Sequence, residues 1–483
     1  MSHHHKPRNR REFLQLSGAA LSSLALPSML HAQDPSAPLH ATLAVFADPI
    51  FTIPTDFTGL SYEAAQLANP AFFAPSNKEL VQLFRQLSPS GVLRIGGGTS
   101  EYTTYSDAAP TEPTPFEVFG PDTDKTNKKG TVTTARALEN LRGFLDATGW
   151  SCLYGLNLGQ GTKENAVNEA MAAHRILGPR LVALQIGNEP DSFRNRFRPA
   201  SYTPEDFVRE WSEFREAIVA KVPDAKFAGP DISNKLPYLT AFADVAMKHK
   251  DVVMLTGHYY AMGPAGRPDA TIANLLSEEP KSTTMKWSGV ATIQDAMKKT
   301  GLPYRISEGN SCWNGGQRGV SDTFASALWC ADAMLRFASY GFGGVYLHGG
   351  GNGIYSPIVG APSTGIIARP EYSGMQFAQR LAGATLMQVK LDCDDNLVRA
   401  YAARAAKHAK GIQHVALINK SNRVVEIGLP KEILAGKPWQ SEKLSAPAID
   451  ATSDTTLAWA GKVTHPQTTL RLEPYTALHL ARD

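Results

Sequence analysis

The chain is poor in the residues that would place it in several common classes. Four cysteines occur in 483 residues, Cys152, Cys312, Cys330 and Cys393. Their spacing fits neither a zinc site nor a disulfide-stapled scaffold. Cys312 has no histidine or basic residue beside it to favour the thiolate, so it reads as a structural thiol and not as a nucleophile. Beyond residue 35 no apolar run approaches the roughly 20 residues of a membrane span. No GxGxxG follows the first strand and no phosphate-loop motif occurs, which leaves nucleotide binding without support. Charge of one sign is lacking too. Lys6, Arg8, Arg10 and Arg11 against Glu12 give residues 1–33 a net charge of +3, equal to the +3 of the whole chain, so the remainder is near neutral. Nothing in that balance indicates nucleic acid or a polyanion as partner.

The basic stretch at the N-terminus has an identity of its own. Asn9-Arg10-Arg11-Glu12-Phe13-Leu14-Gln15 reads as a twin-arginine export signal, Leu16–Leu30 is its apolar part, and Leu30-His31-Ala32-Gln33 offers a cleavage site. Residues 1–33 are therefore set aside from the fold, and the expected location is the periplasm or outside the cell. Twin-arginine export carries folded proteins, which is compatible with free thiols.

The remaining chain is long enough for a large domain and a smaller one. From Phe57 the apolar pattern predicts eight short strands: 57–63, 92–98, 151–158, 181–186, 226–230, 252–260, 304–309 and 344–347. A helical pattern follows each of them, at 77–87, 134–148, 163–177, 204–221, 236–249, 290–299, 323–338 and 371–381. Eight repeated βα units fit a (β/α)8 TIM barrel better than an open doubly wound sheet. Residues 99–131, 263–287 and 349–370 read as loops. After about residue 385 the pattern changes to short strands at 398–403, 414–419, 423–427, 468–472 and 477–480, which predicts a small C-terminal β-sandwich. Two short strands at 40–45 and 51–53, joined by a loop with Asp48 and Pro49, precede the barrel and are expected to pair into that sheet. The expected division is 56–384 for the barrel and 34–55 plus 385–483 for the β-domain.

Leu181–Pro190 (LVALQIGNEP) is an apolar strand that ends in a carboxylate, and Tyr304–Gly309 (YRISEG) repeats the arrangement. Glu189 and Glu308 thus end the fourth and seventh barrel strands, on the face where such barrels carry chemistry. Hydrolysis of a glycosidic bond needs two carboxyl groups across one sugar, one of them a proton donor. Asn188, directly before Glu189, is placed to hydrogen-bond a sugar hydroxyl. His258 is isolated and lies beside tyrosine, so it reads as a hydrogen-bonding residue; neither a metal nor a cofactor is expected.

These stretches are similar to clan A glycoside hydrolases. The finer pattern resembles glycoside hydrolase family 79, the heparanase and β-glucuronidase family. The matching pieces are LRIGGGT at 93–99, which includes Arg94, Gly98 and Thr99, then QIGNEPDSF at 185–193, GHYY at 257–260, SEGNSCWNGG at 307–316 and Gly-Asn-Gly-Ile-Tyr at 351–355. The resemblance implies Glu189 as acid/base and Glu308 as nucleophile of a retaining mechanism. It implies Tyr260 as hydrogen-bond partner of the nucleophile, Arg94 as the charge that keeps it ionised, and Glu63 as a residue binding sugar hydroxyls. It further implies that Tyr355 with the backbone of Gly315 and Gly316 receives a uronate carboxylate. Trp313 stands where the family usually has tyrosine, and indole offers an N–H but no hydroxyl. The activity implied is an exported β-glucuronidase acting on a glucuronide-containing glycan or glycoside. An endo-acting heparanase-like enzyme, a β-glucosidase or diglycosidase, and a non-catalytic carbohydrate-binding barrel are the alternatives. Arg194, Arg196 and Arg198 could meet an acidic aglycone.

Overall fold

The computed structural model describes residues 37–108, 130–349, 353–393, 397–405, 411–435, 437–463 and 468–482. The export segment at 1–33 and most of the loop at 99–131 lie outside the described residues. Eight parallel strands close into a barrel: Thr58–Glu63, Val92–Gly96, Ser151–Leu156, Leu181–Ile186, Phe227–Ile232, Val252–Met262, Tyr304–Cys312 and Gly344–His348. Closure is completed by pairing of the last strand with the first, Val345 opposite Thr58. The strands are apolar and buried because helices cover them outside and side chains fill them inside. Val92, Leu153, Ala183, Ala228, Met254 and Tyr346 form a separate cluster near the N-terminal ends of six strands. This plug is the floor on which the polar residues of the opposite end stand.

The helices begin where short polar side chains can satisfy their first N–H groups. Asn77, Thr134 and Thr162 cap three of them, and Thr203 with Asp206 forms a reciprocal capping box on Pro204–Val219. Gly149 and Gly301 end two helices in the left-handed conformation that only glycine adopts without cost.

Two irregularities matter for the site. The seventh strand shifts register between Ile306 and Glu308 against the sixth, and the fifth shifts between Pro230 and Ile232. In a regular strand successive side chains point to opposite faces. At these shifts the alternation is broken, so Ser307 and Glu308 both turn into the barrel, and Asp231 joins them with a φ of 60°.

The flanking domain is one continuous nine-stranded sheet. Trp439, next to one edge strand, and Leu472, on the opposite edge, share a single apolar cluster, so the sheet curls around its own core. The N-terminal pair of strands expected from sequence is one strand, Leu39–Thr52, with register shifts on both sides of Pro49. Proline lacks the N–H a ladder needs, and the bulge accommodates it without ending the strand. This strand pairs with Thr385–Cys393 on one side and Val425–Gly428 on the other. Several elements escaped the sequence pattern, among them the strand Thr385–Cys393 and the short helix Ile272–Leu276. Trp439–Ser445 and Thr456–Val463 are strands, the second exposed along most of its length and therefore without apolar alternation. The Gly/Pro-rich loop carries a hairpin of Ile358–Ala361 and Gly365–Ala368.

Helix Phe324–Ser339, which follows the strand bearing Glu308, is buried from Phe324 to Ala338 because it lies between barrel and sheet. Its Asp332 meets Lys420 of the sheet domain at 2.6 Å and Arg336 at 3.0 Å, and accepts the Tyr401 hydroxyl at 2.7 Å. Lys420 is 3% exposed. Removing one member of a buried ion pair strands the other charge, which costs more than the pair contributes. Asp332→Ala is therefore expected to destabilise the protein by about 3–5 kcal/mol in urea unfolding, and adding Lys420→Met should recover much of that loss.

Candidate active site

The C-terminal ends of seven of the eight barrel strands converge on one polar cluster whose centre is Arg94. Its guanidinium is 1% exposed and makes five hydrogen bonds. Nη1 reaches Glu308 Oε2 at 2.6 Å and Ser61 Oγ at 3.1 Å. Nη2 reaches Asp231 Oδ2 at 2.5 Å and Asn188 Oδ1 at 2.7 Å, and Nε reaches Gln185 Oε1 at 3.1 Å. One cation thus faces two buried carboxylates.

Glu308 also accepts the Tyr260 hydroxyl at 2.8 Å. Burial pushes its carboxyl pKa up, but His348, His258, Arg94 and the Tyr260 bond together hold it well below the usual carboxylate range. Glu189 lies across the site with its side chain 29% exposed. Its Oε1 is 2.9 Å from His258 Nδ1. Burial and the nearby Glu308 charge raise its pKa, against the opposing effect of His258. The environments therefore push the two glutamates apart, one towards the anion and one towards the acid. One oxygen of Glu189 and one of Glu308 lie within 4.8 Å of each other.

His258 bridges this pair to Asp231, with Nε2 3.2 Å from Asp231 Oδ1 and Nδ1 3.9 Å from Glu308. Burial would lower its pKa, yet Asp231, Glu308 and Glu189 hold it well above the ordinary value. Asp231 is held far below its ordinary range despite burial, by Arg94, His258 and the Ser307 hydroxyl. On the other side, Glu63 accepts the Thr99 amide at 2.8 Å and its hydroxyl at 2.6 Å, and faces His348 Nε2 at 3.4 Å. His348 is raised by Glu308 and Glu63. Arg94 and, where protonated, His258 and His348 thus face the carboxylates of Glu63, Asp231 and Glu308.

The residues singled out from sequence therefore fall into three groups. Arg94, Asn188, Glu189, His258, Tyr260 and Glu308 are joined directly. Glu63 and Thr99 form a neighbouring group, with Gly98 partly exposed in the same turn. Gly315 and Gly316 have φ of 95° and 90°, and the Gly315 carbonyl accepts the Tyr355 amide at 3.3 Å. A Cβ on Gly316 would lie 2.6 Å from that nitrogen, so glycine is required for the approach. Tyr355 is 5% exposed and its ring centroid is 6.2 Å from that of Tyr260. Trp313 stands apart from the hydrogen-bonded cluster at 40% exposure.

Two arginines read as ligands for an acidic aglycone have other duties. Arg198 pairs with Glu210 and donates to the Leu158 and Gly159 carbonyls at 2.8 and 2.9 Å. Arg194 donates to the Tyr202 carbonyl. Arg196, exposed like Arg194, lies over aromatic rings, 4.6 Å from the centroid of Phe197, and donates to the Tyr102 hydroxyl at 3.0 Å. Cys312 is buried with its sulfur 2.7 Å from the Gly263 carbonyl, and burial pushes its thiol up to about 12.

Asp231, Gln185, His348 and Glu101 were not picked out from sequence. Asp231 and His348 lie at the C-terminal ends of barrel strands, the position from which Glu189 and Glu308 were picked in the sequence, and that position was the available signal. Glu101 follows the Gly-rich turn and is 1% exposed; burial raises it to about 7 although backbone N–H groups of Gly159, Asn188 and Leu158 oppose the shift. Glu189, His258 and Glu308 offer three atoms with metal-ligand chemistry. Arg94 bonds Glu308 at 2.6 Å, and Asp231 and Glu308 push His258 towards its protonated form, which competes with ligation of a cation there.

No protein-family model matches the chain. It is 26% identical over 423 residues to a β-glucuronidase from Aspergillus niger, covering 80% of this chain and 76% of that protein. A β-glucuronidase from Neurospora crassa is 24% identical over 407 residues, 75% of this chain and 71% of its own. Among solved structures, a 4-O-α-L-rhamnosyl-β-D-glucuronidase from Fusarium oxysporum superposes with a TM-score of 0.69 at 19% identity, over 92% of this chain and all (100%) of that one. The family 51 arabinofuranosidase from Xanthomonas axonopodis superposes with a TM-score of 0.63 at 14% identity, over 92% and 100%. These likenesses show a shared architecture of barrel and flanking sheet.

Replacing Arg94 by methionine strands Asp231 and Glu308 without their cation. At pH 7 the variant should be less stable by about 3–5 kcal/mol. The depressed pKa values of the wild type contribute stability that is complete above about pH 4 and is lost only as pH falls further. In the variant both carboxyls rise and bind protons on acidification, so the stability gap should narrow between pH 7 and pH 4. Urea unfolding at several pH values checks this; a constant gap contradicts it.

Proposed function

We infer that this chain, a glycoside hydrolase of the family 79 type, hydrolyses terminal β-linked glucuronides with retention of configuration. The observation that carries the reading is the pair Glu189 and Glu308, with carboxylate oxygens within 4.8 Å and pKa values pushed in opposite directions. Retaining glycosidases hold their carboxyl groups about 5–5.5 Å apart, whereas inverting enzymes leave room for a water at about 6.5–9.5 Å.

In the first step Glu308 attacks the anomeric carbon while Glu189 gives its proton to the departing oxygen. This forms a glycosyl ester on Glu308 and frees the aglycone. In the second, Glu189 as carboxylate takes a proton from water, and the resulting hydroxyl displaces Glu308. Arg94 and Tyr260 hold Glu308 in the ionised form the attack needs. His258 bonds Glu189 and stabilises its charge after the proton has left. Because Arg94 occupies the Asn188 carbonyl, the amide N–H2 is available to a sugar hydroxyl. Glu63, fixed by Thr99, accepts from other hydroxyls. The glucuronide preference rests on the two β-glucuronidase relatives and on Tyr355 packed against the turn of Gly315 and Gly316, a fitting receptor for a carboxylate.

The same reading assigns residues 56–384 to catalysis and 34–55 with 385–483 to a supporting β-domain. It takes residues 1–33 as a twin-arginine leader for delivery to the periplasm or beyond. A β-glucosidase is the second reading, favoured by the half-exposed Trp313, whose indole has no hydroxyl for a uronate.

The kcat/KM values for an aryl β-glucuronide and the matching β-glucoside separate the two. A preference of about 10³ for the glucuronide, roughly 4 kcal/mol of transition-state discrimination, is expected, and a glucoside preference overturns the assignment. Glu308→Gln should lower either rate by at least about 10³-fold; wild-type activity in that variant would remove Glu308 as nucleophile.

A further inference from the structure

We propose that Glu101 is the positioning residue of the Glu189 turn, holding the proton donor in line with the leaving oxygen by binding the backbone beside it. The proposal rests on Glu189 as acid/base.

Glu189 adopts a left-handed conformation, φ 51° and ψ 53°. Such a conformation is uncommon for a residue with a side chain and persists only where the surroundings enforce it. Two consecutive N–H groups supply the restraint. The Glu189 amide donates to the Asp231 carbonyl at 2.9 Å, and the Asn188 amide donates to Glu101 Oε1. Glu101 comes from the turn after the second barrel strand, so this bond ties the fourth-strand turn to a distant part of the chain. Its other oxygen accepts the Leu158 amide at 3.0 Å and the Gly159 amide.

The Leu158–Gly159 segment is itself gripped from its opposite side. Arg198 donates to both of its carbonyls and is anchored by Glu210. A Cβ on Gly159 would lie 2.9 Å from Glu101 Oε2, so the close approach depends on glycine. The result is a continuous brace from Glu210 through Arg198, the 158–159 segment and Glu101 to the Asn188 amide. A carboxylate can accept at both oxygens at once; the amide of glutamine presents an N–H2 to one set of these donors and breaks that side. Glu101 touches neither reacting carboxyl group and acts only through the turn.

The test uses the dependence of kcat/KM on the leaving group, which reports the first chemical step. Protonation matters little when a 2,4-dinitrophenolate departs and greatly when a phenolate departs. With the full chain and a series of aryl glycosides of the sugar it turns over, Glu101→Gln should lose less than about 3-fold on the dinitrophenyl substrate and about 10²-fold on the phenyl substrate, within the range general acid catalysis supplies. An equal loss across the series, or none, overturns the proposal. Arg198→Met loosens the same segment from its carbonyl side and should show the same trend more weakly; it decides the matter if Glu101→Gln fails to fold, and a flat response there then overturns the proposal. Glu189→Gln is the control. If it shows no leaving-group dependence, the acid/base reading itself fails; if it does and Glu101→Gln does not, only the positioning role falls.

Discussion

A single guanidinium lies between two buried carboxylates, and the rest of the site is arranged around the shortage this creates. Arg94 can neutralise one anion fully, yet both Glu308 and Asp231 bond it, at 2.6 and 2.5 Å. Burying a carboxylate without compensation is costly, so the remaining charge is drawn from His258 and His348, whose pKa values rise in response. His258, pushed towards its protonated form, bonds Glu189, whose own pKa is raised by burial and by Glu308. Glu189 and Glu308 are therefore pushed in opposite directions by one connected set of charges, and any change of charge at one end is felt at the other.

That arrangement needs rigid support, and the architecture supplies it in layers. The apolar plug at the N-terminal ends of the strands closes the barrel beneath the polar cluster. Register shifts in the fifth and seventh strands turn Asp231 and both Ser307 and Glu308 inward, which a regular strand would not do. The helix after the strand bearing Glu308 is buried from Phe324 to Ala338 and locked to the curled sheet through Asp332 and Lys420. The curled sheet thus supports this helix, and through it the strand bearing Glu308, from behind.

Much of this was legible in the sequence, for reasons that can be named. Apolar runs ending in a polar residue marked the barrel strands, and the two strand-end glutamates followed from that. The bulges left no such mark: Asp231 sits inside Gly-Pro-Asp-Ile, and nothing in a linear pattern says that alternation breaks there. Thr456–Val463 is a strand held by its neighbours and not by an apolar face, so periodicity missed it. Arg194, Arg196 and Arg198 looked equivalent as a charge run, and only tertiary contacts single out Arg198, half-buried and tied to Glu210 and the 158–159 carbonyls. Glu101 lies in a loop with no apolar rhythm at all, and its carboxylate is held by backbone of two distant segments, at Leu158–Gly159 and at Asn188.

The most direct test of the account is covalent trapping. A 2-deoxy-2-fluoro glycosyl fluoride of the accepted sugar slows the second step, so the glycosyl ester accumulates. Mass spectrometry of the digested protein should place the label on Glu308, and the first-formed product of an ordinary substrate should keep the β configuration. A label on another residue, or no label together with an α product, would contradict the shared-charge account of Glu189 and Glu308.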